Sequence, residues 1–382
     1  MNKKIVFVNQ CSGYLMLDIV NSFTKHYDDV VLLAGEINIR PTIPDKKVII
    51  KKIKSYNRLS LISRSFSWLI AFFQVLFAIK TKYRDYHIFL VSNPPLTTFI
   101  PLFCQNDFSL LIYDIYPDSL VAHNHIKEKS HLHRYWSKTN KKVFTHAKQV
   151  FTISKDMQRV LSNYITTDKI TVIYNWGHNT HLMPISKKKN PFAEKYGLIE
   201  KLTIVYSGNM GMTHNLETII KVAQQLQEDN YFRFVFIGEG AKKNVLKDLV
   251  KQYRLENVLF LPFQTAEVLP FSMGAADIGL VTMDSSSASL SIPSKLYSYL
   301  AVGASILSIA KKESELASIV QQYNVGQNYS DQQIEEISSY LIYLKNNPNE
   351  LSLMKKNARN LSSKYTPQNS ELFVKTLLKY YE

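Results

Sequence analysis

The segment Leu202–Gly211, LTIVYSGNMG, is an apolar run that passes directly into a turn containing two glycines. Such runs are typical of strands buried in parallel sheets, where the chain turns at the carboxyl end of a strand and enters a helix. The same theme recurs at Phe234–Gly240, FVFIGEG, after helical periodicity over Asn215–Gln227. These segments predict an α/β unit with parallel strands.

The alternation extends from this segment in both directions. Toward the C-terminus the sequence predicts strands at Val258–Leu261, Ile278–Val281 and Ile306–Ile309, and helices at Lys242–Tyr253, Lys295–Ala301 and Glu313–Gln322. Toward the N-terminus it predicts strands at Lys4–Val8, Val30–Leu33, Val48–Ile50, Ile88–Val91, Leu110–Ile115, Val150–Ile153 and Ile170–Ile173, with helices at Leu15–His26 and Ser65–Ile79. Since this order builds βαβ units, we expect mainly parallel sheets.

A polar segment, Gly177–Asn190, separates the two alternating regions, and we interpret it as an interdomain linker. The sequence therefore predicts an α/β protein of two Rossmann-like domains, residues 1–178 and 196–365, with parallel sheets facing a central cleft. For residues 366–382 the sequence predicts a final helix, from about Pro367 to Tyr381, that crosses back to pack on the first domain. Right-handed crossovers place ligands at the carboxyl ends of the strands, and hence in the cleft.

Composition supports a folded cytosolic protein. The 382 residues favour two domains, and 46% hydrophobic residues exclude a mainly disordered chain. Cys11 and Cys104 are too few for a disulfide framework and lack metal-ligand spacing, which fits a reducing compartment. The first apolar stretch is too short and polar for a signal peptide, and we interpret it as the first strand.

The net charge of +15 predicts an anionic partner. Between residues 46 and 84 there are ten Lys or Arg and no Asp or Glu, around the segment SFSWLIAFFQVLFAI at 65–79. Its apolar run has about 12 residues, whereas a membrane span needs about 20. A second basic stretch, 127–148, also holds aromatic residues. Basic and aromatic character together favours an anionic membrane surface. The alternative is a buried helix flanked by solvated charges, and the two interpretations are compatible.

Three strand–turn–helix corners in the second half are candidates for binding an anionic donor. After Tyr206, Gly208 and Gly211 allow close backbone approach, and a helix beginning near His214 offers free N–H groups. The alternative is an ordinary corner in which Thr213 or His214 caps the helix. The GEG turn at 238–240 repeats the theme. There, Lys242 and Lys243 open a helix, where the dipole disfavours cations unless a phosphate or solvent compensates.

The third corner is SSSASLSIPSKLYSYLAVGASIL, residues 285–307. Hydroxyls, backbone amides and Lys295 at a helix start form a candidate cradle for a diphosphate. We expect Lys295 to be the main phosphate ligand. The alternative is that Ser294 caps the helix and Lys295 is solvated.

Acidic and amide side chains in the first half are candidates for contacting an acceptor. Asp114 ends an apolar strand, where it could orient an acceptor hydroxyl or act as a base. Asp118 is a weaker candidate, because a role as a helix cap also explains it. Asn93, in SNPPLTTF, could touch substrate, although a structural turn is the stronger interpretation there. Ser12 and Gly13, after the first strand, are assigned to the same site.

Several short motifs appear in a characteristic order: SNPP at 92–95, YDIYPDS at 113–119, IYNW at 173–176, YSGNMG at 206–211, GEG at 238–240 and PSKLYSYLAVG at 293–303. With these motifs the chain resembles the retaining family 4 glycosyltransferases, in particular the WbuB/WcaI-like group of surface-polysaccharide enzymes. The resemblance covers nearly the whole chain. It implies a GT-B fold and transfer of a sugar from a nucleoside-diphosphate sugar to an undecaprenyl-diphosphate-linked glycan in capsule, O-antigen or exopolysaccharide assembly.

The resemblance also assigns roles to the candidate residues. Catalysis is assigned to Asp114 and Lys295, with Lys295 stabilising the departing diphosphate. Acceptor binding is assigned to Ser12, Gly13, Asn93 and Asp118. Donor binding is assigned to Gly208, Asn209, Gly211, Gly238, Glu239, Gly240, Lys243, Ser291, Ser294, Tyr297 and Ser298. No metal and no cofactor is expected, and the enzyme is expected on the cytoplasmic face of the cell membrane as a peripheral protein, with other polysaccharide-assembly enzymes as further partners.

The sequence departs from the family pattern at two places. Many family 4 enzymes carry two glutamates, E-x7-E, where this chain has Ser291 and Ser298. The usual His-Asp of the first domain is Tyr113-Asp114. These departures motivate the alternative of a non-catalytic GT-B protein that activates or stabilises another transferase. A further alternative is another GT-B enzyme, such as a sugar-nucleotide epimerase. A nucleic-acid-binding protein is disfavoured, because the basic stretches carry no recognition motif.

Overall fold

The computed structural model describes residues 3–39, 41–57, 60–177, 181–212, 214–284 and 288–380. The chain divides into two compact units. The first comprises Met1–Asn175, Ser289–Ser291 and Pro367–Glu382, and the second comprises Trp176–Ala288 and Ile292–Thr366.

The first unit is a parallel sheet with helices. Its strands are β1 Lys4–Val8, β2 Cys11–Ser12, β3 Asp29–Ala34, β4 Glu36–Ile37, β5 Val48–Lys52, β6 His87–Val91, β7 Phe108–Ile112, β8 Gln149–Thr152 and β9 Ile170–Val172. Its helices are α1 Tyr14–Phe23, α2 Leu61–Lys82, α3 Asp118–Ala122, α4 His131–His146 and α5 Lys155–Leu161, with 3-10 segments at Pro95–Phe103 and Thr167–Lys169. The main sheet has the order β5-β3-β1-β6-β7-β8-β9, and β2 pairs with β4.

Apolar runs form the centre of this sheet because both of its faces are covered. In β1, Ile5, Val6 and Phe7 are all fully buried, as expected for a parallel strand between two layers of helices. The ring of Phe7 lies 5.0 Å from that of Phe89 in β6 and 5.0 Å from that of Phe23 in α1. Aromatic packing therefore joins neighbouring strands and helices into one core.

The second unit is a separate parallel sheet with helices. Its strands are β10 Leu202–Ser207, β11 Phe232–Ile237, β12 Val258–Leu261, β13 Ile278–Thr282, β14 Ser305–Ile309 and β15 Gly326–Tyr329. Its helices are α6 Pro191–Lys195, α7 Glu217–Gln225, α8 Lys243–Gln252, α9 Leu269–Gly274, α10 Lys295–Val302, α11 Glu315–Gln322, α12 Ile334–Asn346 and α13 Pro348–Ser362, with a 3-10 turn at Lys187–Lys189. The strand order is β12-β11-β10-β13-β14-β15. The predicted pair of parallel-sheet Rossmann-like folds is confirmed.

The final helix, α14 Ser370–Leu378, belongs to the first unit, as the predicted return of the chain requires. The Phe373 ring lies 4.8 Å from that of Phe151 in β8, and the Ser22 hydroxyl donates to the carbonyl of Ser370 at 3.2 Å. The helix is shorter than predicted, because Pro367–Asn369 forms a 3-10 turn before it.

The segment 177–190, interpreted as a linker, is partly packed on the second unit. Leu182 and Asn190 are buried, and the Lys187 ammonium forms an ion pair with Asp277, which also accepts from Lys355 at 2.9 Å. The buried Asp277 carboxylate needs cations nearby, since an uncompensated charge there would be costly. The sequence did not predict β15, because its residues, GQNY, contain no apolar run.

Candidate active site

Two glycine turns lie side by side at one edge of the second sheet. Gly208 follows β10 and Gly238 follows β11, and these strands are parallel neighbours. The amide of Met210 donates to the carbonyl of Glu239 at 2.7 Å, and the amide of Lys242 donates back to the carbonyl of Met210 at 3.0 Å. The two turns therefore brace each other at the carboxyl end of the sheet, where ligands of such folds bind.

Glycine is required at 240 by this contact between turns. Gly240 has a φ of +150°, and a Cβ there would lie 2.4 Å from the carbonyl oxygen of Met210. A Cβ at Gly238 would lie 2.1 Å from the carbonyl oxygen of Gly208. We expected these glycines to allow a ligand to approach the backbone closely, whereas the structure shows that they allow the neighbouring turn to do so.

Lys295, the first residue of α10, extends against the first turn. Its Nζ lies 4.7 Å from the centre of the Tyr206 ring, and a Cβ on Gly208 would lie 2.4 Å from its Cε. Burial lowers the pKa of Lys295 to about 8. Among the residues that the structure describes, no carboxylate lies within 4.0 Å of this ammonium. A half-buried cation at the carboxyl edge of the sheet, without an acidic partner, is suited to hold an anion.

Tyr206 supports this lysine and the turn at once, a role that the sequence analysis missed. Its ring is 1% exposed and lies beneath the Lys295 ammonium, which places the cation on an aromatic face. Its hydroxyl donates to the carbonyl of Asn209 at 2.5 Å. The only sequence signal was a tyrosine at the end of an otherwise apolar strand.

His214 also lies near Lys295. Burial lowers the pKa of this histidine, and the ammonium groups of Lys295 and Lys242 lower it further, while the Thr282 carbonyl opposes them. The imidazole is therefore neutral at pH 7. His214 does not begin or cap α7, which begins at Glu217, so the predicted helix start is wrong. Thr213, the other candidate cap, lies outside the described residues.

The lysines of the second corner are already paired. Lys242 lies 2.9 Å from a carboxylate oxygen of Glu217, and Lys243 lies 2.6 Å from one of Glu239. Lys243 also donates to the carbonyl of Gly238 at 3.0 Å. The structure therefore assigns the ammonium of Lys243 and the carboxylate of Glu239 first to each other, rather than to a ligand.

The structure separates the remaining donor candidates. Ser294 is exposed at the N-cap of α10 and makes no side-chain capping bond, so the capping alternative is wrong. Ser298 is half-buried within α10. Tyr297 is 1% exposed, with its ring 4.9 Å from that of Tyr365. Tyr297 therefore packs in the core, and its donor contact stays a prediction.

Other donor candidates lie at the turns or outside the second unit. Asn209 is exposed, and its side-chain amide lies 2.9 Å from where a Cβ on Gly211 would stand. Ser291 is grouped with the first unit. The serines at 285–287, which open the predicted cradle, lie outside the described residues.

Asp114 lies at the carboxyl edge of the first sheet. The backbone amides of Tyr113 and Asp114 both donate to the Ser92 hydroxyl, at 3.0 and 3.1 Å, which ties the ends of β6 and β7 together. Burial raises the pKa of Asp114, and the neighbouring His123 opposes this shift. Asn93 follows Ser92 and is exposed. The structure thus places Asn93 and Asp114 after adjacent strands.

The other acceptor candidates have structural partners or open surroundings. Ser12 is 1% exposed and its hydroxyl donates to the carbonyl of Asn9 at 3.1 Å, so it has a structural partner, and its acceptor contact stays a prediction. Asp118 is the first residue of α3, not its cap, and accepts from the Tyr164 hydroxyl at 2.5 Å. Gly13 precedes α1, and no atom lies within 4 Å of where a Cβ on it would stand.

In the part of the chain that the structure describes, no group of three or more His, Cys, Asp or Glu side chains is arranged to hold a metal ion. The expectation of metal-independent chemistry stays a prediction.

The two parallel-sheet units, with the final helix packed into the first of them, define the GT-B class of glycosyltransferase folds. Residues 188–361 match the family model of the Glycosyl transferases group 1. The match covers most of the second unit, and the prediction that the chain is a glycosyltransferase is confirmed.

Similar proteins agree with this class. Over 341 residues, 85% of this chain and 83% of the relative, the chain is 26% identical to the probable glycosyltransferase WbjE of Pseudomonas aeruginosa. Over 177 residues, 46% of this chain and 43% of the relative, it is 27% identical to the putative colanic acid biosynthesis glycosyl transferase WcaI of Escherichia coli strain K12. The crystal structure of Anabaena HepE in complex with UDP matches with a TM-score of 0.74 at 14% identity, covering 99% of this chain and 100% of that chain, which shows a shared fold.

Proposed function

We propose that the protein transfers a sugar from a nucleoside-diphosphate sugar to a lipid-linked glycan acceptor, carried on undecaprenyl diphosphate, in cell-surface polysaccharide assembly. The observation that carries the proposal is Lys295, a half-buried cation against the Gly208 turn that has no carboxylate within 4.0 Å among the described residues. The WcaI relative is named for colanic acid biosynthesis, and the HepE structure holds UDP, which supports both the polysaccharide and the nucleotide. We assign the chain to the WbuB/WcaI-like group on its motifs.

In this proposal the second unit holds the donor. The diphosphate lies against the Lys295 ammonium and the turn that follows β10. As the bond between the anomeric carbon and the diphosphate oxygen breaks, negative charge grows on the leaving group, and a fixed cation there lowers the barrier. Tyr206 positions the ammonium through its ring and the turn through its hydroxyl.

The acceptor is assigned to the first unit. Asp114 orients the acceptor hydroxyl. As the hydroxyl oxygen bonds to the anomeric carbon, the departing diphosphate takes the proton of that hydroxyl. The raised pKa of Asp114 suits a carboxyl group that positions the acceptor hydroxyl by hydrogen bonding. Because nucleophile and leaving group then share one face of the sugar, the anomeric configuration is retained. The enzyme works at the cytoplasmic face of the membrane as a peripheral protein.

The first experiment identifies the donor nucleotide. Purified protein is heated with UDP, GDP, dTDP, CMP or NAD, and a ligand at about 100 times its dissociation constant should add about 2.7 kcal/mol to the free energy of unfolding. We expect one nucleoside diphosphate to stabilise the protein. A response to NAD alone, or to no diphosphate, would contradict the proposal.

The second experiment tests transfer. With the matching sugar nucleotide and a polyprenyl-diphosphate glycan, Lys295→Ala and Asp114→Asn should each slow product formation by at least about 10²-fold. Lys247→Ala, which changes an exposed lysine on α8, should leave the rate unchanged. NMR of the new linkage reports retention or inversion. We expect transfer to persist in EDTA, because the loops predicted to line the cleft carry no Asp-x-Asp motif or His/Cys cluster; activity restored only by Mn²⁺ would contradict this.

A second candidate is a non-catalytic partner of another transferase, favoured by Ser291 and Ser298 in place of the two glutamates. Cellular glycan assembly separates the two candidates. Assembly that survives both Lys295→Ala and Asp114→Asn, but not deletion of the chain, would favour the partner role.

A further inference from the structure

Helix α2 has a buried face and an exposed apolar face on opposite sides. The inner face, formed by Ser67, Ala71, Val75 and Ile79, is buried in the first unit. The outer face has six large apolar residues that are each 43–72% exposed: Ile62, Phe66, Leu69, Ile70, Phe73 and Phe77. At 3.6 residues per turn these six fall within an arc of about 100°, so they form one continuous stripe, here named the apolar ridge.

The inner face fixes α2 to the first unit. The Gln74 side chain accepts from the Lys54 amide at 2.7 Å, and the Ser67 carbonyl accepts from the Gln10 side chain at 3.2 Å. Trp68 and Val75 also line a small internal cavity with Val8 of β1. The helix is therefore an integral part of the sheet-bearing unit.

This attachment decides how α2 can meet a membrane. By length and composition residues 62–82 could span one: an 18-residue stretch of this helix has a mean hydropathy of 1.6, and only 22% of that stretch is buried. A spanning helix would draw the attached sheet, with its strand edges and loops, into the hydrocarbon, where unpaired backbone groups are too costly. The helix can therefore lie only in the plane of the interface, with the apolar ridge toward the lipid.

The apolar surface continues beyond α2. Phe72 contacts Phe103, at 6.0 Å between ring centres, and Phe103 and Leu102 are 50% and 40% exposed at the end of the 3-10 segment. Leu102 lines a surface pocket together with Lys142 of α4. On α4, Tyr135 is 73% exposed. The ridge, the end of the 3-10 segment and α4 are thus linked by direct neighbours.

Positive charge adjoins this apolar surface. Lys80 and Lys82 are exposed at the end of α2, and the exposed cations of α4 are Arg134, Lys138, Lys141 and Lys142. Lysine next to exposed aromatic residues suits lipid phosphates above an acyl layer. A second copy of this chain fits poorly, because it would bring two basic surfaces of a protein with net charge +15 together.

We propose that the first unit docks on an anionic lipid bilayer, with α2 lying in the plane of the membrane, the apolar ridge and Phe103 inserted, and the cations of α4 against lipid phosphates. The inference deepens the proposed function, since it names the surface that brings the enzyme to a lipid-linked acceptor. Vesicle binding is measured without sugar donor, so docking and transfer can fail independently.

The test is flotation with vesicles of phosphatidylcholine alone or mixed with phosphatidylglycerol. The wild type should float with the mixed vesicles, and less in high salt. Phe66→Ser/Phe73→Ser/Phe77→Ser should lower partitioning by at least about 100-fold, because three exposed phenyl groups no longer enter lipid. Lys138→Gln/Lys142→Gln should lower it about 30-fold at low salt.

The matched control is Ile342→Ser/Tyr343→Ser/Leu353→Ser, which removes three large side chains that are 42–49% exposed on the second unit and should leave partitioning unchanged. Circular dichroism melting checks the fold of each variant. Should the ridge variant misfold, Phe73→Trp replaces it: its emission should be quenched by brominated lipid chains, whereas that of Tyr343→Trp should not.

Four results would overturn the proposal. The first is flotation of the folded ridge variant at the wild-type level, and the second is equal binding of the wild type to both kinds of vesicle with no effect of salt. The third is resistance of the cellular protein to alkaline carbonate extraction, which would indicate a spanning helix. The fourth is a wild-type dimer that the ridge substitutions dissociate. Loss of flotation in the ridge variant alone supports it.

Discussion

The two glycine turns of the second unit carry similar sequences and hold their lysines differently. Lys243, beside the GEG turn, lies 2.6 Å from Glu239, so its charge is compensated. Lys295, beside the Gly208 turn, lies over the Tyr206 ring and has no carboxylate within 4.0 Å among the described residues. One lysine is thus committed to the fold, and the other keeps its charge for a ligand. The two lysines thus differ in the side chain that each contacts, although the glycine turns beside them are similar in sequence.

The difference between the two lysines predicts that removing the charge of Lys295 has the largest effect on nucleotide binding and transfer. Lys295→Ala should weaken nucleoside diphosphate binding by about 10- to 100-fold and slow transfer by about 10²- to 10³-fold, because a charge-assisted contact to the leaving group is lost. Lys243→Ala should change binding only a few-fold. Calorimetry of nucleotide binding measures both; equal losses would show that the two turns do not differ.

The next prediction concerns the glycines. At 240 a Cβ would meet the fixed Met210 backbone, so Gly240→Ala should lower the free energy of unfolding by about 2–3 kcal/mol. At 208 alanine also strains the backbone, since φ is +141°, but its Cβ would meet only the flexible end of Lys295. Gly208→Ala should therefore cost less stability than Gly240→Ala, and it should also displace the ammonium and weaken nucleotide binding about tenfold. Urea unfolding and nucleotide titration separate the outcomes. If Gly208→Ala has the lower free energy of unfolding of the two variants, the proposed difference between the two turns is wrong.

A smaller effect follows from pH. Burial lowers the pKa of Lys295 to about 8, so the free protein loses this positive charge as the pH rises through 8. Bound diphosphate favours the charged form and raises the pKa in the complex. Nucleotide affinity should therefore fall about tenfold per pH unit above 8, until the pKa of the complex is reached. Lys295→Arg should remove the fall, since arginine stays charged; an unchanged profile in that variant would rule out Lys295 as its origin.

The smallest effect sharpens the role of Tyr206. Tyr206→Phe keeps the ring beneath the ammonium and removes the hydroxyl that donates to the Asn209 carbonyl. Loss of one hydrogen bond should weaken nucleotide binding by about 2- to 10-fold. Tyr206→Leu, which also removes the ring, should weaken it further. Equal affinity of both variants would mean that the ring does not hold Lys295.

Much of the fold followed from local pattern. The apolar runs before Gly208 and Gly238 predicted buried parallel strands, because hydrophobic periodicity is local and strong. The polar stretch before Glu217 was less informative. A helix start near His214 was predicted there, but α7 begins at Glu217. Helix ends depend on capping contacts that a pattern of apolar residues does not record.

The site was harder to predict because it depends on contacts between distant residues. Lys242 and Glu217 are an ion pair from different elements, so the sequence alone left Lys242 as a phosphate candidate. In YSY at 297–299, Tyr297 packs on Tyr365 and Tyr299 donates to the Val205 carbonyl at 2.6 Å, which makes both internal. Hydroxyl-bearing residues at a helix start resemble ligands until the direction of each side chain is known.

The Asp277 cluster has a consequence for dissecting the protein into parts. Lys187 reaches Asp277 from upstream of β10, and Lys355 reaches the same carboxylate from α13. A recombinant fragment cut just before β10 would therefore keep the acid and lose one of its two cations. Because a buried carboxylate with incomplete compensation destabilises its surroundings, the second unit is best expressed alone from a start upstream of Lys187.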